Sequence, residues 1–224
     1  MNIKQEDSSG VLAREIAYFM RRLYRQGLTT TSGGNISARD SDGSILITPS
    51  ASDKGRARAS EIGRMDMDGK IIGAPFKPSI ESRMHLEIYR KRTDVMAVVH
   101  AHPVTASAFA ASSARIPNNH LAESYAILGE IAYAEYFCMG TEQLAFEVAR
   151  AALDSNCVIM RNHGALAVGR SLLEAFDRLE VLEAAARIAM LAMGPLSPWA
   201  RPLEAPALSE LDIFMGRAAP KAQS

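Results

Sequence analysis

Cysteine is scarce in this sequence. Cys138 and Cys157 are the only two in 224 residues, and neither belongs to a C-x-x-C pair. That usage argues against a disulfide framework and fits buried thiols in a reducing compartment. Charge of one sign is lacking too, since Lys plus Arg and Asp plus Glu stand at 25 each. With no bulk pull toward nucleic acid or an anionic membrane, an anionic ligand has to be caught locally, by a few groups in a pocket. No stretch reaches the ~20 continuous apolar residues that a membrane span requires. The opening MNIKQEDSSG is polar and acidic, unlike a secretory signal. No internal repeat or low-complexity tract occurs. The expectation is a cytoplasmic protein with neither nucleic acid nor membrane as partner.

What is present is ordinary globular material, 48% hydrophobic and 22% charged, in a length that suits one compact domain over residues 1–224. Val11, Leu12, Ile16, Phe19, Met20 and Leu23 recur along one side of a helix over 9–26, with Gly27 as its stop. Residues 33–72 read as short strands and turns, including Ile45-Leu46-Ile47 and a hairpin at Asp68-Gly69 between Met65 and Ile72. A second helix is expected from Pro78 to about Arg92. Val95 to His102 reads as a buried strand closed by Pro103. Further on, a helix over Thr141–Leu153, strands at Cys157–Met160 and Ala165–Val168, and a long helix from Ser171 to about Met193 are expected. Residues 194–224, punctuated by Pro195, Pro198, Pro202 and Pro206, read as an irregular arm with at most a short helix near Leu208–Met215. Helices flanking a mixed group of strands make a three-layer α/β domain the most economical architecture.

The strongest chemical feature is Val98-Val99-His100-Ala101-His102-Pro103. Side chains two apart on a strand leave the same face about 6.6 Å apart, so two imidazoles can converge on one cation while Val99 and Ala101 anchor the other face. Catalytic zinc sites commonly use three protein ligands and an open position. His163, in Arg161-Asn162-His163-Gly164, is a third candidate. Half-buried histidines with hydrogen-bond partners are the competing explanation for the H-x-H pair, and a histidine in a turn is the competing explanation for His163. Glu81, in Lys77-Pro78-Ser79-Ile80-Glu81, falls in a first helical turn, where a carboxylate is stabilised by the helix dipole or serves as a general acid/base. His85, four residues on, reads as a packed supporting group rather than a ligand. Thr31-Ser32-Gly33-Gly34-Asn35-Ile36-Ser37 can point N–H groups at an anion, although it also suits a simple turn. Thr48-Pro49-Ser50-Ala51-Ser52 and the start of the helix at Ser79 could add donors.

SGGNIS, LITPS, KPSIESRMHLEIYRKRTDVMAVVHAHP and VIMRNHGALAVGRSLLEAFDRLEVLEAAARI, in this order, resemble the class II aldolase/adducin family, especially L-fuculose-1-phosphate aldolase and L-ribulose-5-phosphate 4-epimerase. With the spacing between them they cover roughly residues 10–193. The resemblance implies a three-layer α/β/α fold with a central, largely antiparallel mixed sheet, and a homotetramer with active sites between subunits. It implies a divalent cation, zinc or else manganese or another, on His100, His102 and His163. Glu81 matches the catalytic carboxylate that also approaches the metal when substrate is absent. Substrate phosphate is implied to meet Gly34, Asn35, Ser50, Ala51 and Ser79, and Tyr125 to match the aldolase proton donor. Three departures stand out. Ile80 replaces a frequent second serine, Ala51 replaces a frequent glycine, and no tyrosine follows Tyr136 although the aldolases use one near the C-terminus.

The expected reaction is retro-aldol cleavage of a short ketose 1-phosphate to dihydroxyacetone phosphate and an aldehyde. Glu81 would move the proton at the enediolate carbon, and Tyr125 would serve the departing aldehyde. Decarboxylation of a 3-oxo acid, epimerisation or dehydration on the same site are the alternatives, and an adducin-like scaffold without catalysis is the alternative of another class.

Overall fold

A computed structural model of the chain describes residues 8–217. The first helix, α1 (Ser8–Arg25), buries Ala13, Ile16, Ala17, Phe19, Met20 and Leu23 and ends at Gly27, whose φ of 68° few other residues would adopt without strain. Strands β1 (Asn35–Arg39), β2 (Ile45–Ile47), β3 (Gly63–Met65) and β4 (Ile71–Ile72) follow. The expected hairpin is there, with Met65 paired to Ile71. Then come α2 (Ser82–Lys91), β5 (Ala97–Ala101), α3 (Val104–Ala110), α4 (Ala122–Leu128) and β6 (Ile131–Ala134). The last elements are α5 (Glu142–Ala151), β7 (Cys157–Met160), β8 (Gly164–Gly169), α6 (Leu172–Met193) and α7 (Ala205–Phe214). Side-chain caps open two of these helices: Thr141 Oγ1 accepts from Leu144 N, and Ser171 Oγ accepts from Glu174 N.

The eight strands form one sheet in the order β4-β3-β2-β1-β5-β8-β7-β6. Every pairing is antiparallel except β6 with β7 at one edge. One face packs on α1, α3 and α6 through residues such as Val99, Ala101, Phe176 and Leu182, and the other on α2 and α5 through residues such as Val98, Leu166, Met84 and Val148. Three layers result, as expected. Alternation along β5 sends Ala97, Val99 and Ala101 to the α6 side, so Val98 and His100 face α2. Because Asn35 is opposite His100 across β1, and Leu166 opposite it across β8, the centre of the sheet brings all the later chemistry together.

Four expectations need correction. The second helix does not begin at Pro78. Pro49 bridges Pro78 and Ser50 N donates to Lys77 O at 2.9 Å, so this stretch is held as an edge of the preceding loop and Glu81 becomes the residue that precedes the helix. Asn35 opens a strand rather than closing a loop. Val95 to His102 is a shorter strand that stops at Ala101. In the C-terminal arm a turn at Ser197–Trp199 is followed by a helix starting at Ala205, because Pro206 fits the first helical turn, where its missing N–H costs nothing. Residues 218–224 of that arm lie outside the described residues. The helices α3 and α4 and the strand β6 were not expected at all. The two helices have 7 residues each and the strand has 4, too few for a period to show.

Among the described residues no helix is long and apolar enough to cross a membrane.

Candidate metal centre and its cavity

His100 is fully buried on β5, and its Nδ1 donates to Ala165 O across β8 at 2.9 Å. That bond fixes the tautomer and leaves the lone pair on Nε2. Pro103 then opens α3, whose first N–H groups at Thr105 and Ala106 are taken by the buried Glu183 carboxylate of α6. The chain leaving His102 is thereby held from behind. Two glycines flank the His102 ring. A Cβ on Gly33 would stand 2.7 Å from its Nδ1, and one on Gly164 would stand 2.6 Å from its Cδ2. The glycine loop thus makes room for an imidazole, a role that turn chemistry alone did not suggest. His163 follows Asn162, which takes the left-handed conformation at φ 52° with its N–H bonded to Ala110 O.

One ring nitrogen from each of His100, His102 and His163 lies within 4.8 Å of the others. Glu81 completes the cluster, with Oε1 at 2.9 Å from His163 Nε2 and Oε2 at 3.3 Å from His100 Nε2. These approaches lack hydrogen-bond alignment: Glu81 Oε1, His100 Nε2 and His102 Nε2 are all buried without a hydrogen-bond partner. Burial lowers the pKa of His100 and pushes that of His102 down to about 4, so both are neutral near pH 7. A neutral His100 whose Nδ1 already donates can only present a lone pair to Glu81. Two acceptors facing each other at 3.3 Å repel unless a cation is shared between them. The donor set of three imidazoles and a carboxylate is that of a zinc-type site.

Glu81 does not cap its own helix. Its Oε2 instead accepts from Asn35 Nδ2 at 2.8 Å. Asn35 Oδ1 accepts from His85 Nε2 at 2.5 Å, and Ser37 Oγ donates to His85 Nδ1 at 2.6 Å. Tyr89 OH donates to Ser37 Oγ at 2.9 Å. Burial, with His100 nearby, pushes His85 down to about 3, so its ring is neutral and each bond has only this direction. His85 is thus a supporting group, as its place in the sequence suggested. Burial alone would raise the Glu81 carboxyl, but His163 and the N–H of Asn35 act against it and hold the group below the usual carboxylate range.

Glu81, His102 and His163 line a cavity of about 420 Å³, and so do Gly34, Asn35, Ser50, Ala51 and Ser79. All the residues implied for phosphate binding therefore share one space with the metal candidates. Ser79 Oγ accepts from Glu81 N at 3.3 Å, which leaves its own O–H to donate. Asn35 has one N–H on Glu81 and one left for a ligand. Ala51 stands at φ 52°, the conformation for which glycine is the usual choice. Three lining residues were missed in the sequence, Lys54, Tyr136 and Met139.

Tyr125 is elsewhere. On α4, it donates to Asp212 Oδ2 at 3.0 Å and lines a larger cavity of about 860 Å³ bounded by α4, α7 and the start of α6. That cavity carries mixed charge and no histidine, so size is a poorer guide to chemistry here than the buried unpartnered nitrogens.

Residues 14–190 match the model of the class II aldolase and adducin N-terminal domain. The chain belongs to the class II aldolase/adducin family. Within that family it is 35% identical to an L-fuculose phosphate aldolase of Methanocaldococcus jannaschii, over 76% of this chain and 91% of that one. It is 32% identical to a 3-oxo-tetronate 4-phosphate decarboxylase of Haemophilus influenzae, over 75% of this chain and 81% of that one. A solved L-fuculose 1-phosphate aldolase superimposes with a TM-score of 0.82 at 30% identity, covering 92% of this chain and 96% of its own. The relatives thus include proteins named as aldolases and one named as a decarboxylase.

Proposed function

We propose that this chain is a divalent-metal-dependent lyase that cleaves a C–C bond in a short ketose 1-phosphate, releasing dihydroxyacetone phosphate and an aldehyde. The observation that carries the reading is the face-to-face meeting of Glu81 with His100 and His163 beside a 420 Å³ cavity that hydroxyl and ammonium donors also line. His100, His102 and His163 would hold the cation, zinc by donor type, with Glu81 beside it. Bound there, a divalent cation supplies Lewis acidity toward a substrate carbonyl.

The chain's own residues supply the rest. Ser50, Ser79 and Asn35 bind and orient the phosphate end, which sets the reacting carbons beside Glu81. The Glu81 carboxylate, held ionised by Asn35, takes or gives the proton at the carbon that keeps the electron pair of the broken bond. In the cleavage direction the hydroxyl that becomes the aldehyde carbonyl gives up its proton as the C–C bond breaks. A group to take it has to come from another copy of the chain if Tyr125 is to serve, and we assign it that role in a homotetramer with shared active sites. The exposed Trp199, Ile213 and Phe214 on the C-terminal arm support such assembly.

Decarboxylation of a phosphorylated 3-oxo acid is the second reading. It is favoured by the engagement of Tyr125 with Asp212, since loss of carbon dioxide requires no group to take a hydroxyl proton as the C–C bond breaks. Product analysis of metal-loaded protein against ketose 1-phosphates and 3-oxo acid phosphates separates the two. Turnover of neither class would sink both, and an active monomer in sedimentation would sink the shared site.

A further inference from the structure

Lys54 is 2% exposed, an unusual place for an ammonium. It begins the 3₁₀ turn Lys54–Arg56 after Asp53, and its backbone N–H donates to Thr31 O at 2.9 Å, tying this loop to the glycine loop. Its Nζ donates to Pro49 O at 2.9 Å and to Ser52 Oγ at 3.1 Å. An ammonium has three N–H donors, so one remains. No carboxylate among the described residues pairs with it, and burial pushes the ammonium down to about 8. A buried cation with neutral partners is costly unless an anion arrives. The side chain lines the same cavity as Ser50, Ala51 and Ser79, and as Ile80, which supplies no hydroxyl.

We propose that Lys54 is a specificity-determining residue, whose ammonium makes this cavity prefer a substrate ending in a dianionic phosphate over the same skeleton ending in a hydroxyl. The inference rests on the reading that the cavity takes a phosphorylated substrate. Lys54 takes over the work of the donor missing at Ile80 and adds charge to it. A strut that merely joins two loops would need the hydrogen bonds of Lys54 and not its charge.

The test is calorimetric titration of inorganic phosphate into the wild-type protein, Lys54→Met, Lys54→Gln and His102→Ala. Lys54→Met removes the charge and keeps the stem, and Lys54→Gln keeps a donor for Pro49 O. Both should weaken phosphate by roughly 10- to 100-fold, the range for one charge-assisted hydrogen bond. KM for the phosphorylated substrate should rise alike with little change in kcat. His102→Ala should keep measurable phosphate binding, since the donors assigned to the anion are Lys54, Ser50 and Ser79 and not an imidazole. Unchanged phosphate affinity in folded Lys54→Gln would overturn the proposal, as would failure of both Lys54 variants to fold, which assigns Lys54 to the scaffold. Loss of phosphate binding in His102→Ala would overturn it too, by placing the anion at the histidines. A wild-type protein that binds no phosphate would sink the phosphorylated-substrate reading itself.

Discussion

At the histidine end of the cavity every group is held from behind: His100 by Ala165 O, His102 between two glycines, and Glu81 by Asn35, His85 and Ser37 in turn. At the anion end the walls are loops, with Ala51 in a left-handed conformation, Ile80 about half exposed, and a single buried ammonium at Lys54. The first region is tied to the central strands by His100 on β5 and Asn35 on β1, with His102, His163 and Glu81 on the connections beside them. The second is made of connections alone. The difference teaches where this molecule is committed and where it is adjustable. Chemistry is anchored to the sheet through His100 and Asn35, and substrate choice is left to loops whose residues can change without disturbing the core.

The comparison breaks most severely at the ligands. His100→Ala or His163→Ala should lose bound divalent metal and activity together, measured by metal analysis after dialysis beside a turnover assay. Stoichiometric metal in a variant lacking all three imidazoles would remove the assignment. Next comes Glu81→Gln, which keeps size and the bond from Asn35. Metal and substrate should still bind while the rate falls by about 10²–10⁴-fold, the usual cost of a lost general acid/base. Near-normal turnover would take Glu81 out of the mechanism.

The anion end should respond more softly. Ser79→Ala should raise KM for a phosphorylated substrate by about 2- to 10-fold, as for one neutral hydrogen bond, and leave kcat nearly alone. An unchanged KM would favour a substrate without phosphate there. The smallest expected effect is on stability. Ala51→Gly relieves the strain at φ 52° at some cost in chain entropy, so unfolding by denaturant should show about 0.5–1 kcal/mol of stabilisation or none. A clear destabilisation would mean that the Ala51 methyl packs usefully.

Much of the histidine end was legible because it obeys short periods. The H-x-H spacing on a buried strand predicted a shared face, and Val99 and Ala101 do anchor the opposite one. His85 could be placed four residues after Glu81 on the same helix. Glu81 itself was misplaced by one structural step, because a proline that suits a helix start was used by the loop to bridge Pro49. Other features could not be read because they depend on contacts distant in sequence. Lys54 meets Thr31 only after the loops fold together, and Ser37 and Tyr89 join the Glu81 network from separate elements. Tyr125 and Tyr136 cannot be told apart by local pattern, although only Tyr136 faces the cavity.

The hydrogen-bond chain from Tyr89 through Ser37, His85 and Asn35 to Glu81 also has a direction. Its four donors all point toward the carboxylate, so their dipoles add rather than cancel. In a buried environment of low dielectric, bonds aligned in this way polarise one another. The positive end of the series rests on Glu81 before any substrate enters, and the ring and amide that carry it have no alternative orientation. Negative charge at this carboxylate is therefore met by dipoles already in place, and the free energy of turning them was met when the chain folded.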